Sequence, residues 1–182
     1  MKELSYIDLK YKPTKKDLIA KYRLEPSRVS FEEACEQLAA ESSIGTWTDI
    51  CTMSPKIAKK LKPHVFSIDK KKNLAEIAYP EALFEQGNMP QILSSIAGNI
   101  FGMKIVKNLR LVDVSFSEKL GKSFQGPAFG VSGIRKLLKV KKRPLVGTII
   151  KPKVGLNEKE HAKVAYDAWV GGLDIVKDDE NL

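Results

Sequence analysis

At 182 residues, 43% hydrophobic and 29% charged, the chain can bury an ordinary core, as one domain or as one domain and part of another, which excludes a disordered protein. No early basic-then-apolar segment resembles a signal peptide and no stretch approaches the roughly 20 apolar residues of a membrane span, so the expectation is a cytoplasmic protein without a membrane partner. The net charge of +9 invites phosphate binding, yet the lysine clusters "KIAKKLK" and "DKKKN" read as solvated faces without interleaved aromatics or zinc spacing, so nucleic acid is not an expected partner.

In chain order, residues 6–116 carry short, mixed apolar segments. "LIAKYRL" reads as a strand, and "SFEEACEQLAAES" as a helix capped by Ser30 with Glu33 completing a capping box. "GTWTDICTM" reads as a strand. "HVFSID" and "LAEIAYP" flank the lysine turn as a hairpin. "MPQILSSIAGNIFG" places Ile92, Ile96 and Ile100 four apart, the spacing of a helix burying one face. "NLRLVDVSF" alternates as a strand does. Cys35 on the helix and Cys51 on a strand lack metal-ligand spacing and are expected to be buried thiols. Helices on one face of a mainly antiparallel sheet give an α+β class for this part.

After "GPAFG" the pattern changes. "GVSGIRKLLKV" is a short helix, "KKRP" a polar joint, and "LVGTII" the continuous apolar run of a strand covered on both faces. Asn157 with Glu160 forms a capping box for a helix that runs to Gly171 and Gly172, and "LDIVK" is a second buried strand. Strand, helix and strand over about thirty residues make a βαβ unit with parallel strands. One such unit cannot close a sheet, so the chain is expected to be a fragment that begins a second domain.

Chemistry gathers at the ends of those two strands. Lys151 and Lys153, two apart in an extended segment, leave from one face. Their mutual repulsion lowers the cost of a neutral lysine, which suits an anionic phosphorylated substrate and proton transfer. A pair of surface lysines fits the same residues. In "KDDE", Lys177 and Asp179 share a face while Glu180 begins the loop. The carboxylates suit Mg²⁺. Lys177 is then either their counter-ion or, after capturing CO2, a carbamate offering a third oxygen ligand.

"GTIIKPKVGL" followed by "GGLDIVKDDENL" resembles the first two barrel strands of the ribulose 1,5-bisphosphate carboxylase/oxygenase (RuBisCO) large subunit. The resemblance extends through "AAESSIGTWTDI", "SSIAGNIFGMK" and "FQGPAFGV", and its wording is similar to the archaeal form III enzymes. It implies a ferredoxin-like α+β N-terminal domain over 1–126 and, over 127–182, the β1-α1-β2 opening of a TIM (β/α)8 barrel, truncated. It also implies Mg²⁺-dependent carboxylation of ribulose 1,5-bisphosphate to two 3-phosphoglycerates, with O2 as a competing monooxygenase substrate, in AMP or nucleoside salvage. CO2 is implied both as substrate and as the activator that converts Lys177 to a carbamate, with Asp179 and Glu180 as its partners on Mg²⁺. Lys151 matches the base and acid of enolisation, and Lys153 a substrate ligand. Glu41, Thr46, Trp47 and Asn99 match residues that reach across a dimer interface into the partner's barrel, which implies a homodimer or an oligomer of dimers. Ile149 departs from the threonine of many plant-type enzymes. A RuBisCO-like enolase or isomerase would share the barrel and carbamate but usually departs at Glu41, Thr46, Trp47, Asn99 and Lys151. A non-catalytic, truncated interaction module is the third class.

Overall fold

The computed structural model describes residues 4–46 and 50–179. The chain divides into two compact units between Gln125 and Gly126. No helix among the described residues is long and apolar enough to cross a membrane.

In the first unit, strand β1 (Asp17–Pro26) lies between β3 (Leu74–Pro80) and β4 (Val106–Ser115), with β2 (His64–Asp69) beyond β3, every neighbour antiparallel. Alternation sorts the faces of β1. Leu18, Ala20, Tyr22 and Leu24 are fully buried, while Lys21 points away and pairs with Glu76 at 2.9 Å. The alternation expected of β4 slips at Val112. The register steps from Lys21↔Asp113 to Tyr22↔Leu111, leaving Val112 as the extra residue of a bulge, 46% exposed.

Helix α1 (Phe31–Glu41) starts where Ser30 Oγ accepts the Glu33 amide at 3.1 Å, and it buries Ala34, Cys35, Leu38 and Ala39 in the core. Burial pushes the Cys35 thiol up to about 12, so it stays a protonated, inert thiol. Helix α2 (Pro55–Leu61) is capped by Ser54 and buries none of its residues. Segment 50–53 is not the expected strand. The Met53 amide bonds back to the Ile50 carbonyl at 3.0 Å, closing a turn that satisfies its backbone locally, and Cys51 is exposed rather than buried.

Helix α3 (Met89–Ile96) starts where Asn88 accepts the Gln91 amide at 3.0 Å. It ends earlier than the isoleucine spacing predicts. A Cβ on Gly98 would lie 2.0 Å from the Ser94 carbonyl oxygen. The chain turns there into a 3₁₀ turn, Asn99–Gly102, which still buries Ile100 beside Ile92 and Ile96. A short helix that the sequence reading did not anticipate, α4 (Glu118–Lys122), is capped by Ser117.

In the second unit, helix α5 (Gly130–Leu137) precedes β5 (Gly147–Ile149), and α6 (Glu158–Val170) separates β5 from β6 (Ile175–Lys177). β5 and β6 pair in parallel, Thr148 opposite Val176. The predicted Asn157–Glu160 capping box is present in both directions. The strands are not buried on both faces as their composition predicts. Ile149 and Ile175 are each 40% exposed, because a two-stranded sheet offers no neighbours to cover them.

Candidate functional site

The second unit is held by a clasp at one end of the β5–β6 pair, and the lysines singled out in the sequence lie at the other. At the clasp, Arg143 donates from Nη1 and Nη2 to Asp174 Oδ2 and Oδ1 at 2.6 and 2.7 Å. The Val146 amide donates to Asp174 Oδ2 at 3.0 Å, and the Asp174 amide donates to the Val146 carbonyl at 2.9 Å. The Arg143 fork, helped by the Val146 amide, holds the Asp174 carboxyl down at about 2. Neither Arg143 nor Asp174 stood out in the sequence, since they lie 31 residues apart.

At the opposite end both strands finish together. The Ile150 amide bonds to the Lys177 carbonyl at 3.1 Å, so Lys151 and Lys177 leave the same end of the sheet. Lys151 Nζ lies 2.6 Å from Asp179 Oδ2. Asp179 is the sheltered member, its side chain 9% exposed against 61% for Lys151.

Lys151 and Lys153 do not share a face of an extended segment. Residues 151–155 are a run of bends beginning with a cis Lys151–Pro152 peptide, so the period-two rule does not extend to them. Lys153 lies exposed in that bend. β6 likewise ends at Lys177, before Asp178 and Asp179. Asp178 turns to α6, where its Oδ1 lies 2.8 Å from His161 Nε2. Adjacent carboxylates thus serve different elements, a division that strand alternation across "KDD" hints at and that the sequence reading did not draw. Glu180 lies outside the described residues. Among the described residues, no three His, Cys, Asp or Glu side chains gather around a metal-sized space.

In the first unit, Glu41 is the last residue of α1, Thr46 is exposed shortly beyond it, and Asn99 is exposed at the start of the 3₁₀ turn rather than on a continuous helix face. Trp47 lies outside the described residues. The serines of "ESSIG" have a local task. Ser42 Oγ donates to the Leu38 carbonyl at 2.7 Å and Ser43 Oγ to the Ala39 carbonyl at 2.6 Å. Both carbonyls lie in the last turn of α1, and the Leu38 carbonyl also accepts the Ser42 amide at 3.1 Å.

The profile of the family described as "Ribulose bisphosphate carboxylase large chain, N-terminal domain" matches residues 5–120, and that of its "catalytic domain" matches residues 130–182. The chain belongs to the ribulose bisphosphate carboxylase large-chain family. It is 56% identical over 178 residues to the ribulose bisphosphate carboxylase of Methanosarcina mazei and 50% identical over 186 residues to that of Methanocaldococcus jannaschii, covering 97% and 98% of this chain. Those alignments span 42% and 43% of the relatives' own lengths. Among solved structures, the chain is similar to the octameric Rubisco of Pyrococcus horikoshii at a TM-score of 0.84 and 47% identity, and to the dimeric archaeal Rubisco of Hyperthermus butylicus at 0.82 and 42%. Each match covers 97% of this chain and 42% of the other. The RuBisCO large-chain architecture, an N-terminal domain followed by the start of the catalytic domain, is therefore that of this chain.

Proposed function

We propose that this chain forms the N-terminal part of a Mg²⁺-dependent ribulose 1,5-bisphosphate carboxylase/oxygenase of archaeal form III, acting in AMP or nucleoside salvage. The observation that carries the reading is the common exit of Lys151 and Lys177 from the end of the parallel β5–β6 pair, with Asp179 drawn in beside Lys151. In an open parallel sheet or a barrel, that carboxyl end is where ligands bind. The first unit is then the ferredoxin-like domain, and the second the opening strand, helix and strand of a TIM barrel.

The donor chemistry fits a hard divalent cation. Asp179 supplies a sheltered carboxylate and Glu180 a neighbouring one, while a CO2-derived carbamate on Lys177 would add oxygen where the ammonium has none. When bound, Mg²⁺ supplies positive charge that polarises a substrate oxygen. Lys151, at the mouth of the same strand end, holds and moves the proton at the sugar carbon in enolisation. Lys153, exposed in the bend, offers a second cation to a phosphorylated sugar. Glu41, Thr46, Trp47 and Asn99 complete a partner subunit's site in a homodimer or an oligomer of dimers.

The presence of Glu41, Thr46, Trp47, Asn99 and Lys151 in the sequence favours a carboxylase over an enolase or isomerase on the same fold. The test is carboxylation of ribulose 1,5-bisphosphate by the full-length protein, with and without Mg²⁺ and CO2 preincubation. Turnover that needs neither would overturn the reading. Residues 1–182 alone, with β5 and β6 uncovered and under half the length of the relatives, are expected to show none.

A further inference from the structure

We infer that three buried hydroxyls, on Ser42, Tyr79 and Tyr22, position the segment carrying Glu41 and Thr46 relative to Asn99. The inference rests on the reading above that these residues serve a bisphosphate-sugar site.

All three side chains lie in the core, Tyr22 and Tyr79 fully buried and Ser42 2% exposed. A buried hydroxyl is costly without a partner, and phenylalanine would fill either tyrosine's space without that cost. The hydroxyls nevertheless lie in a row between two backbone carbonyls. Ser42 Oγ donates to the Leu38 carbonyl at 2.7 Å, and the Tyr79 hydroxyl lies 2.8 Å from Ser42 Oγ and 3.4 Å from the Tyr22 hydroxyl. The Tyr22 hydroxyl donates to the Ile96 carbonyl at 2.8 Å. With the Ser42 and Tyr22 protons committed to carbonyls, the Tyr79 proton goes to Ser42, its nearer neighbour, and the 3.4 Å approach of the Tyr79 and Tyr22 oxygens is a contact without a proton of its own. Burial keeps the proton on Tyr79, pushing that hydroxyl up to about 12.

The ends of this row are what give it a role. Leu38 lies in the last turn of α1, where its carbonyl also accepts the Ser42 amide at 3.1 Å, and Ile96 is the last residue of α3, whose carbonyl needs a donor from outside the helix. Ser42 follows Glu41 directly. Three residues after Ile96 comes Asn99. Tyr79 and Ser42 thus tie β3 to the end of α1, Tyr22 ties β1 to the end of α3, and the pairing of β1 with β3 joins the two ties. Both exits are also sterically set. A Cβ on Gly45 would lie 2.5 Å from the Tyr6 hydroxyl and 2.7 Å from Ala40 Cβ, and one on Gly98 would strike the Ser94 carbonyl.

The test is steady-state kinetics on the full-length protein carrying Tyr79→Phe or Tyr22→Phe, each removing one oxygen. Expected is a fall of about tenfold in kcat/KM for ribulose 1,5-bisphosphate, since a small misplacement of positioning groups is expensive. Val65→Ala, a β2 core variant outside the row, lowers Tm without that fall. In an Asn99→Ala background, Tyr79→Phe costs less than about threefold, because the group it positions is already gone. If Tyr79→Phe and Tyr22→Phe stay within about twofold of wild type while Glu41→Gln and Asn99→Ala lose activity, the positioning role is overturned and the site reading stands. Full activity in Glu41→Gln and Asn99→Ala overturns both. If Tyr79→Phe does not fold, Ser42→Ala breaks the same hydrogen bond from the α1 side and decides by the same criteria.

Discussion

Lys151 Nζ sits 2.6 Å from Asp179 Oδ2, across 28 residues of sequence. The carboxylate proposed to meet a metal and the lysine proposed to move a proton are thus joined directly.

From this arrangement, Lys151→Ala in the full-length protein is expected to slow enolisation by about 10² to 10⁴ while leaving CO2- and Mg²⁺-dependent carbamate formation intact. Exchange of the sugar-carbon proton with solvent measures the first, and trapping of bound CO2 the second. Loss of both together would mark Lys151 as structural.

Lys177→Met leaves Asp179 and Glu180 with too few oxygens to hold Mg²⁺ and substrate together, so activity should disappear. Carboxylation assays and CO2 trapping on the full-length variant check this. More than about a tenth of the wild-type rate, equivalent to about 1.4 kcal/mol or less in barrier, is incompatible with the carbamate role.

Mixing inactive Glu41→Gln and inactive Lys177→Met full-length chains should restore part of the activity. A heterodimer holds one site built from the intact Glu41 of one chain and the intact Lys177 of the other. Subunit exchange demonstrated by mass spectrometry without recovered activity rules out a shared site.

The clasp predicts an acid limit for the second unit. Asp174 has its carboxyl held at about 2 in the fold, against an ordinary value of about 3.9 when unfolded. A depressed folded value means its contribution is complete above about pH 4 and is lost as pH falls toward about 2. Amide exchange at residues 147–149 and 175–177 should accelerate across that window. In Asp174→Asn it should already be fast at neutral pH, without that acid-dependent step. An unchanged profile in the variant would remove the clasp as the cause.

Much of this molecule was legible as a string because the governing physics is short-range. Caps act over three residues, so Ser30 and Asn157 mark helix starts in the sequence and in the fold. Period two separates Tyr22 from Lys21, and strand, helix and strand in succession fixes β5 and β6 as a parallel pair. The wording around Lys151 and Lys177 was enough to point to the family. Where the reading failed, backbone geometry or a contact distant in sequence decided the outcome. Helix α3 gives way to a 3₁₀ turn at Gly98, where a residue without Cβ lets the backbone close on the Ser94 carbonyl, β4 slips at Val112 to keep its register with β1, and 151–155 bend away once β5 ends. The pairings Lys151 with Asp179, Arg143 with Asp174, and Tyr22 with Tyr79 and Ile96 join residues 28 to 74 positions apart. No local pattern encodes them. They exist because strand ends and helix ends leave charges and carbonyls that residues far away in the chain satisfy.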